Sequence, residues 1–250
     1  MYRSLYLPGT SASANLSSAA YTDCNGTAFD VKVTKKINEA STDTQGYVGY
    51  SESKKRISVV MRGSMTTAHY LNDIDILLSD PELSGVNFPE DAKIMLGISK
   101  TWGSVHDEVV SEVKSLVKKY PEYSLEATGH SLGGSPTYIS YVALSQVFPE
   151  KKVIGNAMAA YPIGNQAFAD FGSSQNGTLN RGNNADDGVP VTIQLSLLRI
   201  SANTVQNLYA TIPGFKHYER NTIVPGPKTP VSSVKANVTI LVQLVMGRSV

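Results

Sequence analysis

The residues with the clearest chemical potential form the pentapeptide Gly129-His-Ser-Leu-Gly133. It fits Gly-x-Ser-x-Gly, in which the serine occupies a sharp turn between a strand and a helix and the glycines leave room for that turn. A short apolar segment over 125–128 precedes it, and a helical pattern follows it. A helix that begins there points free N–H groups at the place where an oxyanion would form. The pattern therefore predicts that Ser131 is a nucleophile that attacks a carbonyl carbon.

Alternating strands and helices must position this turn. Four segments predict strands, at 43–50, 56–61, 124–128 and 153–157. Apolar residues at spacings of three and four predict a long helix from Trp102 to Tyr120, and a second helix is expected just after Ser131 with Pro136 in its first turn. Residues 1–20 are interpreted as a loose arm or a first helix. The alternation indicates an α/β fold with a largely parallel sheet.

Length and composition limit the classes of protein that this chain can be. Its 250 residues, 41% of them hydrophobic, suffice for one domain with a continuous core, and no linker or repeat divides 1–250. The formal net charge of +1 argues against a nucleic-acid partner. The single cysteine, Cys24, can form neither an internal disulfide nor a metal-binding cysteine cluster, and we predict no metal or cofactor.

Two features bear on the compartment. Four Asn-x-Ser/Thr sequons, at Asn15, Asn25, Asn176 and Asn237, lean mildly towards secretion. The first eight residues contain no apolar h-region, so no signal peptide is predicted. No run approaches the ~18 apolar residues of a membrane span, so no transmembrane segment is predicted either.

Five motifs follow one another along about residues 16–190. They are Asp43-Thr-Gln-Gly, Ile57-Ser-Val-Val-Met-Arg-Gly-Ser64, Gly129-His-Ser-Leu-Gly-Gly134, Gly164-Asn-Gln-Ala-Phe-Ala-Asp170 and Asp187-Gly-Val-Pro190. This series resembles the fungal class 3 lipases, a group that also contains feruloyl esterases. The resemblance implies an α/β-hydrolase fold with a central mixed, mostly parallel sheet flanked by helices. It also implies a secreted serine carboxylic ester hydrolase that acts on acylglycerols or related lipid or aryl esters, at a lipid–water interface.

The resemblance assigns roles to individual residues. Ser131 would attack the ester carbonyl. The backbone N–H of Leu132 would be one oxyanion donor, and Ser64 the second, through its N–H and its hydroxyl. Two such donors ~3 Å from the developing oxyanion contribute several kcal/mol to transition-state stabilisation. The resemblance implies that the segment 65–78 forms a short amphipathic lid over the site, and a buried core helix is the alternative for this segment.

Asp187 matches the family's triad acid, which orients the histidine and stabilises the imidazolium. It comes 56 residues after Ser131, in the Ser…Asp…His order of such enzymes. Asp186 is adjacent, but the spacing to Val189-Pro190 favours Asp187.

The base is where the match to the family is incomplete. Only His217 follows Asp187, which makes it the candidate base by chain order. It lies in Gly214-Phe-Lys-His217, which resembles a family segment whose histidine is not the base, so we expect it to lie away from the Ser131 hydroxyl. The family's base comes later, and none of the 33 residues after His217 is histidine.

The other three histidines are weaker candidates. His130 directly precedes the nucleophile, and the resemblance implies that it is not the base. His106 is expected on the polar, solvated side of the long helix, and His69 falls in the lid segment.

Other segments of the chain also depart from the family pattern. Residues 194–211 resemble an insertion, and 219–250 match nothing in the family, so that about 194–250 is atypical. Lys93-Ile-Met-Leu-Gly-Ile98 replaces the family's His-x-Gly-Phe segment, and 161–165 is one residue short of Pro-Arg-x-Gly-Asn. The alternative to a working hydrolase is therefore an impaired lipase homologue, or the product of an altered transcript, without the triad histidine. A structural protein unrelated to hydrolysis would leave the nucleophile and oxyanion motifs unexplained.

Overall fold

The computed structural model describes residues 10–22, 26–63, 77–184 and 221–224. Its helices are α1 (Thr10–Ala19), α2 (Leu96–Lys119), α3 (Gly134–Val147) and α4 (Gln166–Ser173). Its strands are β1 (Thr27–Ala28), β2 (Val31–Glu39), β3 (Thr44–Ser51), β4 (Arg56–Met61), β5 (Leu78–Ser79), β6 (Ile94–Met95), β7 (Ser124–His130), β8 (Val153–Met158), β9 (Gly177–Asn184) and β10 (Asn221–Val224). No helix among these residues is long and apolar enough to cross a membrane.

Eight strands form one sheet in the order β1-β2-β3-β4-β7-β8-β9-β10. The strands β1 to β4 pair antiparallel, and β4, β7, β8, β9 and β10 pair parallel. The mixed, mostly parallel sheet that the sequence predicted is therefore confirmed. Because the last five strands run the same way, their carboxyl ends meet at one edge, where open α/β sheets gather their catalytic groups.

The two faces of the sheet bury different residues. Ile57, Val59 and Met61 of β4 belong to the large core under α2 and α3, whereas Val60 packs with Leu16 of α1 on the other face. This alternation follows from the two-residue period of a strand. The N-terminal residues interpreted as an arm or a helix thus include a helix that covers one face of the sheet.

The long helix differs from its predicted form in two ways. It begins at Leu96 rather than Trp102, and His106 is buried, only 3% exposed, where a solvated side chain was expected. His106 comes four residues after Trp102 and three before Val109, both fully buried, so it falls on the apolar stripe of the helix. Its Nδ1 lies 2.9 Å from the Asp107 carboxylate.

Candidate active site

Ser131 occupies a strained turn at the carboxyl end of β7. Its φ is 58°, in the left-handed region that non-glycine residues seldom adopt. A single 3₁₀ turn, Ser131–Gly133, follows, and α3 begins at Gly134. The serine is 5% exposed. Strand, strained serine and helix are arranged as the Gly-x-Ser-x-Gly pattern predicted.

The two outer glycines of this turn are required by close backbone contacts. A Cβ on Gly129 would overlap the carbonyl oxygen of Gly133, one turn ahead. A Cβ on Gly133 would overlap the carbonyl oxygens of Met61 and Arg62 at the end of β4. The elbow is therefore packed between its own helix and the neighbouring strand, and only glycine fits at both positions.

Helix α3 presents its amino end to the nucleophile. Pro136 lies in its first turn, as expected, where its missing N–H has no intrahelical partner to lose. The Thr137 hydroxyl donates to the Gly133 carbonyl (3.0 Å), and the Ser135 hydroxyl donates to the Tyr161 carbonyl (3.3 Å). Leu132 is half-buried within the 3₁₀ turn, at the positive end of the helix dipole. This placement suits its N–H for the oxyanion role that the resemblance implies.

The strand that carries the second oxyanion motif lies directly beside β7. β4 pairs parallel with β7, and Met61 is opposite Gly129. Two residues later Gly63 is buried, and Ser64 follows it outside the described residues. The Arg62 N–H donates to the Gln45 carbonyl (2.8 Å), and its guanidinium lies 3.8 Å from Asp43. The motifs that begin at Asp43 and Ile57 are thus in contact with each other.

A tyrosine that the sequence analysis did not single out connects these parts. The Tyr21 hydroxyl lies 3.2 Å from His130 Nδ1 and 3.4 Å from the His130 carbonyl oxygen. It also accepts a hydrogen bond from the Gly63 N–H. No local pattern predicts this contact, because Tyr21 and His130 are 109 residues apart in the chain.

Burial sets the charge state of both rings. It lowers the pKa of His130 from 6.5 to about 4, so this histidine is neutral at pH 7. Burial raises the pKa of Tyr21 to about 12, against the opposing effects of the Gly63 N–H and the Arg62 charge. Tyr21 therefore keeps its proton and acts only through hydrogen bonds.

Ser64, Asp187 and His217 lie outside the described ranges, as do His69 and residues 65–76 of the lid segment. The last two residues of that segment are described, and Leu78 begins β5. The chain on either side of Asp187 and His217 is described in part. β9 ends at Asn184, three residues before Asp187, at the same edge of the sheet as Ser131. β10 begins at Asn221, four residues after His217.

The two internal departures from the family pattern lie against each other. The Lys93 N–H donates to Asn165 Oδ1 (3.0 Å), and the Asn165 N–H donates to the Lys93 carbonyl (3.0 Å). The Met95 N–H donates to the Ile163 carbonyl (2.6 Å), and Asn165 also caps α4 through the Phe168 N–H. The altered segments therefore fit each other, and their hydrogen bonds join β6 to the start of α4.

Two cavities lie among the described residues. One of about 680 Å³ is lined by residues 80–92, and one of about 370 Å³ lies beside Tyr21, Gln45 and Arg62. Ser131 lines neither of them.

Comparison with known proteins decides the family. The family model described as Lipase (class 3) matches residues 58–196. A secreted alkaline triacylglycerol lipase from Penicillium cyclopium is 52% identical over 229 residues, which are 91% of this chain and 74% of that protein. The chain belongs to the class 3 lipase family.

Solved lipase structures agree with this assignment. A triacylglycerol lipase from Penicillium expansum superposes with a TM-score of 0.77 at 53% identity, covering 86% of this chain and 78% of that one. A triacylglycerol lipase whose catalytic centre is formed by a serine protease triad gives a TM-score of 0.68 at 25% identity, covering 84% and 77%. This class 3 lipase is accordingly a serine ester hydrolase with an α/β-hydrolase fold, as the sequence predicted.

Proposed function

We propose that this class 3 lipase hydrolyses the ester bonds of acylglycerols, with Ser131 as the nucleophile. The observation that carries the proposal is the strained Ser131 between a parallel strand and a buried helix start. Ser131 Oγ adds to the ester carbonyl, its proton passes to a base, and the alcohol leaves to give an acyl-serine. Water then adds to this ester, the fatty acid leaves, and Ser131 regains its proton.

Two donors stabilise the oxyanion of each tetrahedral intermediate in this proposal. One is the Leu132 N–H, supported by its place in the turn that opens α3. The other is Ser64, supported by the pairing of β4 with β7, which brings Gly63 level with the elbow. A single oxyanion donor contributes roughly 10²- to 10³-fold to kcat in enzymes of this kind.

Asp187 is proposed as the triad acid. β9 runs parallel to β7 and β8 and reaches the catalytic edge at Asn184. Asp187 follows three residues later, which suits a carboxylate that must orient a histidine above the nucleophile. Asp187→Asn is expected to lower kcat by about 10⁴-fold, and Asp186→Asn is the matched control. A larger loss in the Asp186 variant would reverse the assignment.

By chain order His217 is the candidate base of this reaction, because it is the only histidine after Asp187. Its resemblance to a family segment whose histidine is not the base still leads us to expect its ring away from the Ser131 hydroxyl. β10 runs parallel to β9, with Asn221 opposite Arg181 and Val224 opposite Asn184. Asn221 is the first residue of β10, and His217 precedes it by four residues in the chain. A base must come within ~3 Å of the serine hydroxyl, directly or through one water.

The nucleophile is tested with p-nitrophenyl esters of several chain lengths and a fluorophosphonate probe. Ser131→Ala is expected to abolish both hydrolysis and labelling. Ser124→Ala, at the opposite end of the same strand, is the matched control and keeps both. Activity that survives Ser131→Ala, or labelling at another residue, would remove the central claim.

The base is tested separately, with His217→Ala. If His217 acts, hydrolysis collapses in this variant by orders of magnitude. If wild-type hydrolysis is weak and His217→Ala leaves it unchanged, then the elbow and oxyanion hole act without a histidine, and the chain is an impaired hydrolase.

Acylglycerols, rather than aryl esters, are proposed as substrates because the relative that is 52% identical is a triacylglycerol lipase. A tributyrin emulsion and ethyl ferulate separate the two classes. We expect hydrolysis of tributyrin to rise sharply above its solubility limit, as action at a lipid–water interface requires. Faster hydrolysis of ethyl ferulate would favour the esterase assignment.

Secretion and glycosylation are also part of the proposal, supported by the secreted relative. Asn176 has the best setting for a glycan among the described sequons. It is exposed in the turn between α4 and β9. Asn15, by contrast, is half-buried on α1 with its Oδ1 enclosed. Asn25 and Asn237 lie outside the described residues.

A further inference from the structure

One hydroxyl group connects the nucleophile elbow and the oxyanion strand. The Tyr21 oxygen accepts the Gly63 N–H and lies within hydrogen-bond distance of both the ring and the carbonyl of His130. Gly63 directly precedes Ser64, and His130 directly precedes Ser131. The residues that Tyr21 holds are therefore the chain neighbours of the proposed oxyanion donor and of the nucleophile.

We propose that the Tyr21 hydroxyl is a positioning group that sets the oxyanion backbone at Gly63 against the nucleophile elbow. This inference rests on the proposed function, because it assigns Tyr21 a part in the same reaction. Tyr21 does not touch the reacting atoms and exchanges no proton with substrate. It acts through the backbone on which Ser64 and Ser131 are carried.

The packing around Gly63 supports this role. A Cβ on Gly63 would overlap the Tyr21 hydroxyl and crowd the His130 carbonyl oxygen. The glycine of Arg62-Gly-Ser64 is therefore needed for the approach of Tyr21, and not for an unusual backbone angle. Two residues that are far apart in the chain, Tyr21 and Gly63, depend on each other at this contact.

The hydroxyl can satisfy its partners in either neutral form of His130. If His130 carries its proton on Nδ1, the Tyr21 oxygen accepts from it and donates to the His130 carbonyl. If the proton is on Nε2, the Tyr21 hydroxyl donates to Nδ1. In both cases the Gly63 N–H retains its acceptor, so the contact does not depend on the tautomer.

Small displacements at this place are expected to matter for catalysis. An oxyanion donor is effective only when it is aimed at the position that the oxygen takes in the transition state, and a shift of about 1 Å can lower the rate about 10²-fold. Removing the Tyr21 hydroxyl leaves the buried Gly63 N–H without its acceptor, so this peptide is expected to rotate in search of another. Because Ser64 is the next residue in the chain, this rotation is expected to change the aim of the proposed oxyanion donor.

Tyr47 is a matched control for the simpler role of fastening α1. Its hydroxyl is also buried and donates to the Leu16 carbonyl of α1 (2.8 Å). Tyr47→Phe therefore removes a buried tyrosine hydroxyl that binds the same N-terminal region, through the Leu16 carbonyl. Both variants are expected to lower the melting temperature by similar, small amounts.

The test compares Tyr21→Phe and Tyr47→Phe in the full chain with p-nitrophenyl butyrate. We expect Tyr21→Phe to lower kcat by roughly 10- to 100-fold, with KM within about twofold. Tyr47→Phe should keep the wild-type kcat. An unchanged kcat in Tyr21→Phe, an effect confined to KM, or equal losses in the two variants would overturn the proposal.

Amide hydrogen exchange of ¹⁵N-labelled protein tests the contact without activity. The Gly63 N–H should exchange faster in Tyr21→Phe than in the wild type or in Tyr47→Phe. Equal exchange rates would overturn the proposal even if kcat fell. If the wild-type chain hydrolysed no ester, that result would contradict the proposed function, and the Gly63 exchange rate would still decide the role of Tyr21.

Discussion

The nucleophile elbow shows how single residues determine the geometry of this site. Ser131 adopts a φ of 58°, and the turn persists because Gly129 and Gly133 allow the helix and β4 to pack against it. Gly133 is the glycine that faces the neighbouring strand, since its missing side chain makes room for the carbonyls of Met61, at the end of β4, and of Arg62, directly after it. Activity and stability therefore depend on the same small residue.

Gly133→Ala tests this constraint. The new Cβ overlaps backbone atoms that cannot move independently, so we expect a loss of about 2 kcal/mol or more in the free energy of unfolding, and a fall in kcat. Gly103→Ala in α2 is the control, because its Cβ would meet only the Leu83 side chain at 4.0 Å. Urea denaturation measures the free energy of unfolding of both variants. The control should be neutral or slightly stabilising, since alanine favours a helix, and equal losses would contradict the packing argument.

His130 predicts a pH dependence of stability. The unfolded chain binds a proton at this histidine below about pH 6.5, whereas burial delays protonation in the folded protein to about pH 4. The free energy of unfolding must therefore fall as the pH drops through this interval, and the contribution levels off below it. The full effect is about 3 kcal/mol.

His130→Gln removes this component and keeps a polar side chain of similar size. Urea midpoints measured between pH 7 and pH 4 should fall less steeply in the variant than in the wild type. Identical slopes would show that His130 is not protonated on unfolding in this range, and would contradict its burial in the neutral form.

At the scale of elements, a buried polar network fastens α1 to the sheet. The Glu126 carboxylate accepts from Ser13 of α1 (2.6 Å), Ser58 of β4 (3.0 Å) and Asn156 of β8 (3.1 Å). Its second oxygen lies 2.9 Å from Arg56 Nε, and Glu126 is 1% exposed. The network determines how α1 lies on the sheet, and the chain after α1 carries Tyr21 to the active site.

Glu126→Gln is expected to destabilise the protein by about 3 kcal/mol, because it leaves the largely buried Arg56 charge without its partner. Glu52→Gln is the control, since its pair with Lys32 is exposed on both sides and should leave the free energy of unfolding nearly unchanged. Thermal and urea denaturation measure both. Similar losses in the two variants would contradict the importance of burial.

Elements with a strong local pattern were the ones predicted. β4, β8 and the helices around Trp102 and Pro136 have a clear apolar periodicity, and this periodicity predicted their secondary structure correctly. β9, by contrast, reads Gly-Thr-Leu-Asn-Arg-Gly-Asn-Asn, which carries no strand signal. It is a strand because β8 and β10 pair with it on both sides, and its Asn180 side chain donates to Asn156 (3.0 Å).

At the scale of the whole molecule, the proposed glycan tests both the exposure of Asn176 and the passage of the chain through a secretory pathway. When the chain is produced behind a leader peptide in a yeast secretory host, we expect a glycan on Asn176 because this side chain is exposed in a turn. Asn176→Gln should remove a mobility shift that peptide N-glycosidase also removes. Asn15→Gln is the control and should keep it. A shift that survives in Asn176→Gln would place the glycan on another sequon.

The sequence by itself determined the nucleophile elbow, the order of the family's motifs and the helices and strands with clear periodicity. These are local properties, since a glycine spacing or an apolar stripe acts on neighbours within a few residues. Only the tertiary structure decided that His106 is buried, that β9 is a strand, and that Tyr21 contacts Gly63 and His130. These features join residues from distant parts of the chain, and no local pattern encodes a contact whose partners meet only when the sheet and α1 have assembled.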